Sequence, residues 1–241
     1  MSVKLLDTPA ELLRRRQFTL FDDFFGLDEV ERWSVTADAG TQDIDLDGRG
    51  GLLSIATGST DNDEAYVATI GELFRFAPDK PIEFEARIKF VEANTDDANV
   101  LVGLMDAPGA DSLLDDGGGP KSSYSGAVIY EVDGGTNWTV ESSLGGAQTT
   151  TLTDQPAGGA AFHTLRIVVQ PVGPDRVEVT FFIDPLGGSN FAQCRDAEGR
   201  PVKHVVALGS PTEMAVVLGA KAGGANAETL LVDYVSCSQL R

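Results

Sequence analysis

Residues Ile82-Glu83-Phe84-Glu85-Ala86-Arg87-Ile88-Lys89-Phe90 decide the architecture. Apolar and charged side chains alternate without a break. Successive side chains of a strand point to opposite faces, so this period of two buries one face and wets the other. At about 3.3 Å per residue the strand is roughly 30 Å long. Its wet face carries two acids followed by two bases, which suits cross-strand pairing and discourages edge-to-edge aggregation. Such a strand belongs to an antiparallel sheet with one covered face, which is half of a sandwich.

Working outward, the same reading predicts strands over Arg32–Thr36, Leu52–Thr57, Ala65–Thr69, Leu73–Phe76, Ile82–Val91, Val100–Met105, Ala127–Val132, Trp138–Leu144, His163–Gln170, Arg176–Ile183, Met214–Ala220 and Leu230–Ser238. Gly, Asp, Asn and Pro clusters between them are turn chemistry. Short strands with almost no helix indicate an all-β chain, a two-sheet antiparallel β-sandwich of jelly-roll type. No fixed-period repeat argues for a propeller or solenoid. Val232 and Tyr234 are expected to pair into the same sandwich as Leu53 and Ile55. Two long connections, Asp106–Ser125 and Asp184–Pro201, have the length at which loops are usually functional or interfacial.

The first seventeen residues read differently, and the predicted boundary sets them apart as an arm before a sandwich domain over 18–241. Thr8-Pro9-Ala10-Glu11 has the pattern of a capping box with Pro at the first helical position. Arg14, Arg15 and Arg16 then fall in the last turn, where the helix dipole favours cations. A helix of about two turns is too short to stand alone in water, so it needs a surface. Leu5, Leu6, Leu12 and Leu13 offer apolar anchors, and the arginines can pair with carboxylates. Phe18 to Gly26 is dense in aromatics and is expected to seal one end of the core.

The chain has 241 residues, 37 acidic against 18 basic, and a net charge of −19. A polyanion is repelled by nucleic acid and by anionic membrane surfaces, so neither is expected as a partner. No apolar run is long enough to span a bilayer, and no secretory leader is read at the N-terminus. Cys194 and Cys237 are too few for a disulfide framework and read as small hydrophobes in a reducing compartment. The Asn137-Trp138-Thr139 sequon is then incidental.

Chemistry is harder to find. A glycoside hydrolase needs two carboxylates flanking the scissile bond. The nearest alternating acids are Asp43, Asp45 and Asp47, in a segment without apolar flanks to raise a carboxyl pKa. The same three residues, followed by Gly48, form the first half of a calcium loop, but Ser54 stands where the bidentate Glu belongs. A solvated acidic turn is the plainer reading. Asp61, Asn62, Asp63 and Glu64 form a second oxygen-rich cluster, read first as a structural turn. His163 and His204 stand near no nucleophile motif. Trp33, Trp138 and Tyr66 are candidates for a sugar platform, although core aromatics are commoner. No catalytic residue, metal site or cofactor is assigned, and the chain is not read as an enzyme.

Phe21-Asp22-Asp23-Phe24-Phe25-Gly26, Thr57-Gly58-Ser59-Thr60-Asp61-Asn62-Asp63-Glu64-Ala65, Phe84-Glu85-Ala86-Arg87-Ile88-Lys89 and Val232-Asp233-Tyr234-Val235 together resemble a group of tailed-bacteriophage virion proteins. These are concanavalin A-like (lectin/glucanase) jelly rolls that decorate or cement the capsid exterior. The resemblance covers roughly residues 18–241. It implies a structural role in the virion after synthesis in the host cytoplasm. The partners it implies are the major capsid protein and further copies of the chain, as a homo-oligomer, with a trimer ahead of a dimer. The alternative is a carbohydrate-binding, lectin-like module for host-surface glycans, which aromatics projecting from one exposed sheet face would support.

Overall fold

A computed structural model describes residues 16–44, 50–91, 97–159, 161–209 and 212–241. Among them the elements are seventeen strands and no helix. The expected short helical arm is therefore corrected: the described residues are all β. Gln17, placed in the arm, already opens the first strand, and the Arg16 carbonyl accepts a hydrogen bond from the Arg241 amide at 2.7 Å. Leu5, Leu12, Leu13, Arg14 and Arg15 lie outside the described residues.

The strands form two antiparallel sheets. The nine-stranded sheet runs β14 (Ala192–Gln193), β13 (Arg176–Asp184), β12 (His163–Gly173), β7 (Ile82–Val91), β17 (Thr229–Leu240), β4 (Leu53–Ala56) and β3 (Thr41–Ile44). In addition, β1 (Gln17–Asp22) pairs with β17, and β15 (Lys203–Ala207) pairs with β13. The eight-stranded sheet runs β11 (Ala147–Pro156), β10 (Asn137–Leu144), β9 (Gly126–Glu131), β8 (Ala98–Met105), β16 (Glu213–Ala222), β5 (Glu64–Thr69) and β2 (Trp33–Ala37), with β6 (Phe74–Arg75) beside β16.

The alternation in β7 is realised as read. Ile82, Phe84, Ala86, Ile88 and Phe90 are buried, while Glu83, Glu85, Arg87 and Lys89 face outward. The buried set packs with Val100, Val102 and Leu104 of β8 and Val216, Leu218 and Ala220 of β16 in one inter-sheet core. Burying this apolar surface is the main favourable term for the fold. Val232 pairs with Leu53 and Leu230 with Ile55, joining the C-terminal strand to the early part of the chain.

Tyr234, grouped with Val232 in the expectation, does not share its face. The register of β17 against β7 slips between Val232 and Tyr234, so Asp233 and Tyr234 both turn outward before Val235 returns to the core. A bulge re-aims a side chain in this way. The aromatic-dense segment also divides. Phe24 is buried against Trp33, with ring centroids 5.6 Å apart, but Phe21 is 53% and Phe25 78% exposed. Asp22 organises this corner, accepting from the Phe24 amide, the Arg32 guanidinium and the Trp33 indole at 2.8–2.9 Å.

Candidate functional site

The outer face of the eight-stranded sheet is largely occupied. Leu113 and Tyr124, from the Asp106–Ser125 connection, pack with Tyr66, Leu101, Met105, Val128 and Val217 in a second apolar cluster. Gly219 makes room for this arrangement, since a Cβ there would collide with the Tyr66 ring. The Tyr66 hydroxyl accepts a hydrogen bond from the Leu113 amide at 3.0 Å.

Lys221 fastens the same loop. Its buried Nζ donates to Asp115 at 2.6 Å and to the Leu113 carbonyl at 3.1 Å, and lies 3.3 Å from Glu64 and 3.5 Å from Asp111. Burial alone would lower the pKa of this ammonium; Asp115 and Glu64 outweigh it and hold the group above its usual value. Asn62 and Asp116 exchange hydrogen bonds, and both have left-handed backbones, with φ of 68° and 54°. Asp63 accepts from the Thr60 amide at 2.9 Å, while Glu64 is buried in β5. The Asp61–Glu64 cluster therefore ties its own turn to the covering loop.

Further along this face Glu141 is buried and accepts from Tyr124 and Gln148, both at 2.9 Å, and from Thr150. Burial raises its carboxyl pKa against those three bonds. Burial, followed by Asp97, Asp61 and Asp116, raises that of Asp133. What remains open here is a groove of about 450 Å³ between Ser34 and Thr36 on one side and Pro108, Glu72 and Glu213 on the other. It has hydroxyls and two carboxylates, but its one ring, Tyr66, is covered.

The outer face of the nine-stranded sheet is different. Register aligns Thr19, Ser238 and Glu83 in one cross-strand row. The next row holds Phe21, Ser236, Glu85 and Arg166, and the third holds Tyr234, Arg87 and Thr164. The Phe21 and Tyr234 rings stand 6.1 Å apart at 30° to one another. They border an open trough of about 590 Å³ that also presents Gln17, Thr19, Glu83, Glu85, Ser236 and Ser238.

Beside the trough, two arginines lie over phenylalanine rings. The Arg87 guanidinium is 4.2 Å from the Phe162 centroid, and that of Arg166 is 3.7 Å from the Phe191 centroid. Arg87 donates to the Gly187 carbonyl at 2.7 Å and to Asp233 at 2.6 Å. Gly187 has φ of +62°, and a Cβ there would sit 2.6 Å from the Phe162 carbonyl oxygen, so only glycine fits. Asp184 shapes the turn by accepting amides of Leu186, Gly188 and Asn190, which hold its carboxyl below the usual range.

Arg166 donates from Nε and Nη2 to Glu85 at 2.9 and 2.6 Å, and Tyr234 donates to the other Glu85 oxygen at 2.5 Å. Burial, then Glu85, raises the Tyr234 pKa, so the phenol stays a neutral donor. The result is a pre-ordered surface of rings, hydroxyls and oriented carboxylates.

The sequence candidates fall elsewhere. Asp43 is exposed on the edge strand β3, and Asp45 and Asp47 lie outside the described residues. Among the described residues no group of three or more His, Cys, Asp or Glu side chains is placed to hold a metal ion. Trp33, Trp138 and Tyr66 are buried, so of the two readings these rings are core rather than a sugar platform, and Phe21 and Tyr234 line the outer face instead. His163 accepts from the Trp138 indole at 3.1 Å. His204 bridges Ser142 and Thr151 at 3.1 and 3.0 Å. Cys194 and Cys237 are buried free thiols, and burial pushes Cys194 up to about 12.

No family model matches the chain, and no curated protein matches it either. Solved structures do. The endo-β-1,4-glucuronan lyase of Trichoderma reesei aligns over 90% of this chain and 94% of its own, with a TM-score of 0.59 at 11% identity. The potassium-bound carbohydrate recognition domain of Emp46p aligns over 89% and 93%, at 0.56 and 12%. Peanut lectin aligns over 92% and 97%, at 0.55 and 10%. The fold is the concanavalin A-like jelly roll. Identities this low carry the fold and nothing finer. The same fold serves a lyase as well as lectins, and nothing among these structures links the chain to a phage capsid.

Proposed function

We propose that this chain is a non-catalytic, lectin-like module that binds a neutral glycan on the outer face of its nine-stranded sheet. The observation that carries this reading is the pair Phe21 and Tyr234, side by side on the trough, Phe21 exposed and Tyr234 partly so, beside a row of hydroxyls and carboxylates. Aromatic rings present a flat apolar surface, and a few placed polar groups fix orientation. Pyranose rings have matching chemistry, with C–H faces and a rim of hydroxyls. Glu83, Glu85 and Asp233 are offset locally by Arg87 and Arg166. In a chain of net charge −19, that balance favours an uncharged sugar over a polyanion.

The reading as a module rather than a catalyst follows from Glu85. Both of its oxygens are already engaged by Tyr234 and Arg166, which leaves it to orient the surface. The capsid-exterior reading has no comparable observation behind it. The test is a glycan array followed by calorimetry of hits. Phe21→Ala and Tyr234→Ala should each weaken binding about tenfold or more, a loss of ~1.4 kcal/mol. Thr36→Lys, in the groove of the other sheet, should leave affinity unchanged. Binding that survives Phe21→Ala and Tyr234→Ala but is lost in Thr36→Lys would move the site to that groove, and no glycan binding at all would end the reading.

A further inference from the structure

Sheet edges present unpaired N–H and C=O groups and are templates for another strand. Proteins blunt them with short strands, charges, prolines or covering loops. Most edges here are blunted. β3 has four residues and carries Asp43, β2 has five, β14 has two, and β15 has five with Lys203 at its start. β1 has six and ends on Asp22, with Asp23 following it. β11 is the exception. It has ten residues, pairs only with β10 among the described strands, and reads Ala-Gln-Thr-Thr-Thr-Leu-Thr before its first charge, Asp154.

Residues 147–150 and Leu152 are exposed, with Leu152 at 59%. Its register on β10 is continuous from Leu144/Ala147 to Thr139/Leu152, so no bulge twists this stretch away from a partner. Among the described residues, the first backbone partner of β11 outside β10 is met at Asp154, whose amide donates to the Arg195 carbonyl at 2.9 Å. In a chain of net charge −19, an uncharged edge of this length is out of keeping with the surface around it.

We propose that β11 is the docking edge for a second copy of this chain, joining two eight-stranded sheets across a two-fold axis. An antiparallel strand pairs with itself under such an axis, so the contact is self-complementary and closed. Centred on Thr150, the pairing sets Thr149 opposite Thr151 of the partner subunit and Gln148 opposite Leu152 of the partner subunit. Asp154 then falls opposite Gly146 of the partner subunit, so no like charges meet. Thr–Thr cross-strand pairs are favourable ones. A foreign peptide would find the same backbone, but a second copy brings this matched row of side chains.

Two substitutions test this at the edge itself. Thr149→Lys sets a cation diagonally across the two-fold axis from its own copy, and Leu152→Lys replaces the apolar member of the Gln148–Leu152 pair on the other face of β11. Analytical ultracentrifugation of the full chain over a concentration series should show a dimer. The double variant should weaken dimerisation about tenfold or more. Its unfolding at low concentration should match that of the unaltered chain, which separates loss of pairing from loss of fold. An unaltered chain that stays monomeric throughout, or a dimer indifferent to both lysines, overturns the proposal. Neither result bears on glycan binding at the opposite sheet.

Discussion

Replacing Lys221 with methionine isolates what holds the Asp106–Ser125 connection on its sheet. The side chain is 1% exposed and meets carboxylates of very different exposure: Glu64 at 6%, Asp115 at 61% and Asp111 at 71%. Removing one member of a buried ion pair commonly costs 3–5 kcal/mol, because the other charge stays buried without its partner. Asp111 and Asp115 can turn to water, so only Glu64 bears that penalty in full. Glu64 also keeps the Asp111 amide, which lies 2.9 and 3.2 Å from its two oxygens. The expected loss is therefore near the lower bound, about 3 kcal/mol. Urea denaturation measures it, and amide exchange at Leu113, bonded to both Tyr66 and Lys221, reports whether the loop lifts first. Adding Glu64→Gln to Lys221→Met removes the stranded charge and should recover ~1 kcal/mol or more. A single-variant loss below about 1 kcal/mol, with Leu113 exchange unchanged, would show that packing of Leu113 and Tyr124 holds the loop without the lysine.

Other expectations follow from the core and the sheet edges. Phe84→Ala should cost about 3–5 kcal/mol in the same denaturation, the range for truncating a fully buried Phe, and a loss near zero would mean the faces of β7 are reversed. Burial lowers His204 from 6.5 to about 4, so the folded state binds fewer protons than the unfolded state between those values. Stability from this group is complete above pH 6.5 and falls as pH drops toward 4, by roughly 3 kcal/mol in all. His204→Gln should remove that part of the slope, and parallel pH profiles for the two proteins would refute it. Gly219→Ala should lose about 1–3 kcal/mol through displacement of the Tyr66 ring, read as a lower urea midpoint.

Where one face of a strand is buried, its period of two could be read directly, and β7, β12 and β13 lie where the alternation put them. β11 escaped because Gln-Thr-Thr-Thr-Leu-Thr has no apolar face: an edge strand wet on both sides has no alternation to read. β1 was hidden by its aromatics, which suggested a plug although Phe21 points to solvent. The same absence of contrast concealed the candidate site. Arg87 over Phe162 and Arg166 over Phe191 join residues brought together by strand register and by the turn at Asp184, and no spacing along the chain encodes either contact.

Tyr234 is the instructive case, because its signal was present. Leu230 and Val232 are buried on even numbers, Val235 and Cys237 on odd ones. An uninterrupted strand cannot change parity and keep both pairs in the core. One extra residue must therefore stand between them, and the polar side chain in that interval, Asp233, marks where. A bulge there turns two neighbours outward together, setting Asp233 against Arg87 and Tyr234 against Glu85. The break in alternation both locates the irregularity and selects the face that carries the proposed binding surface.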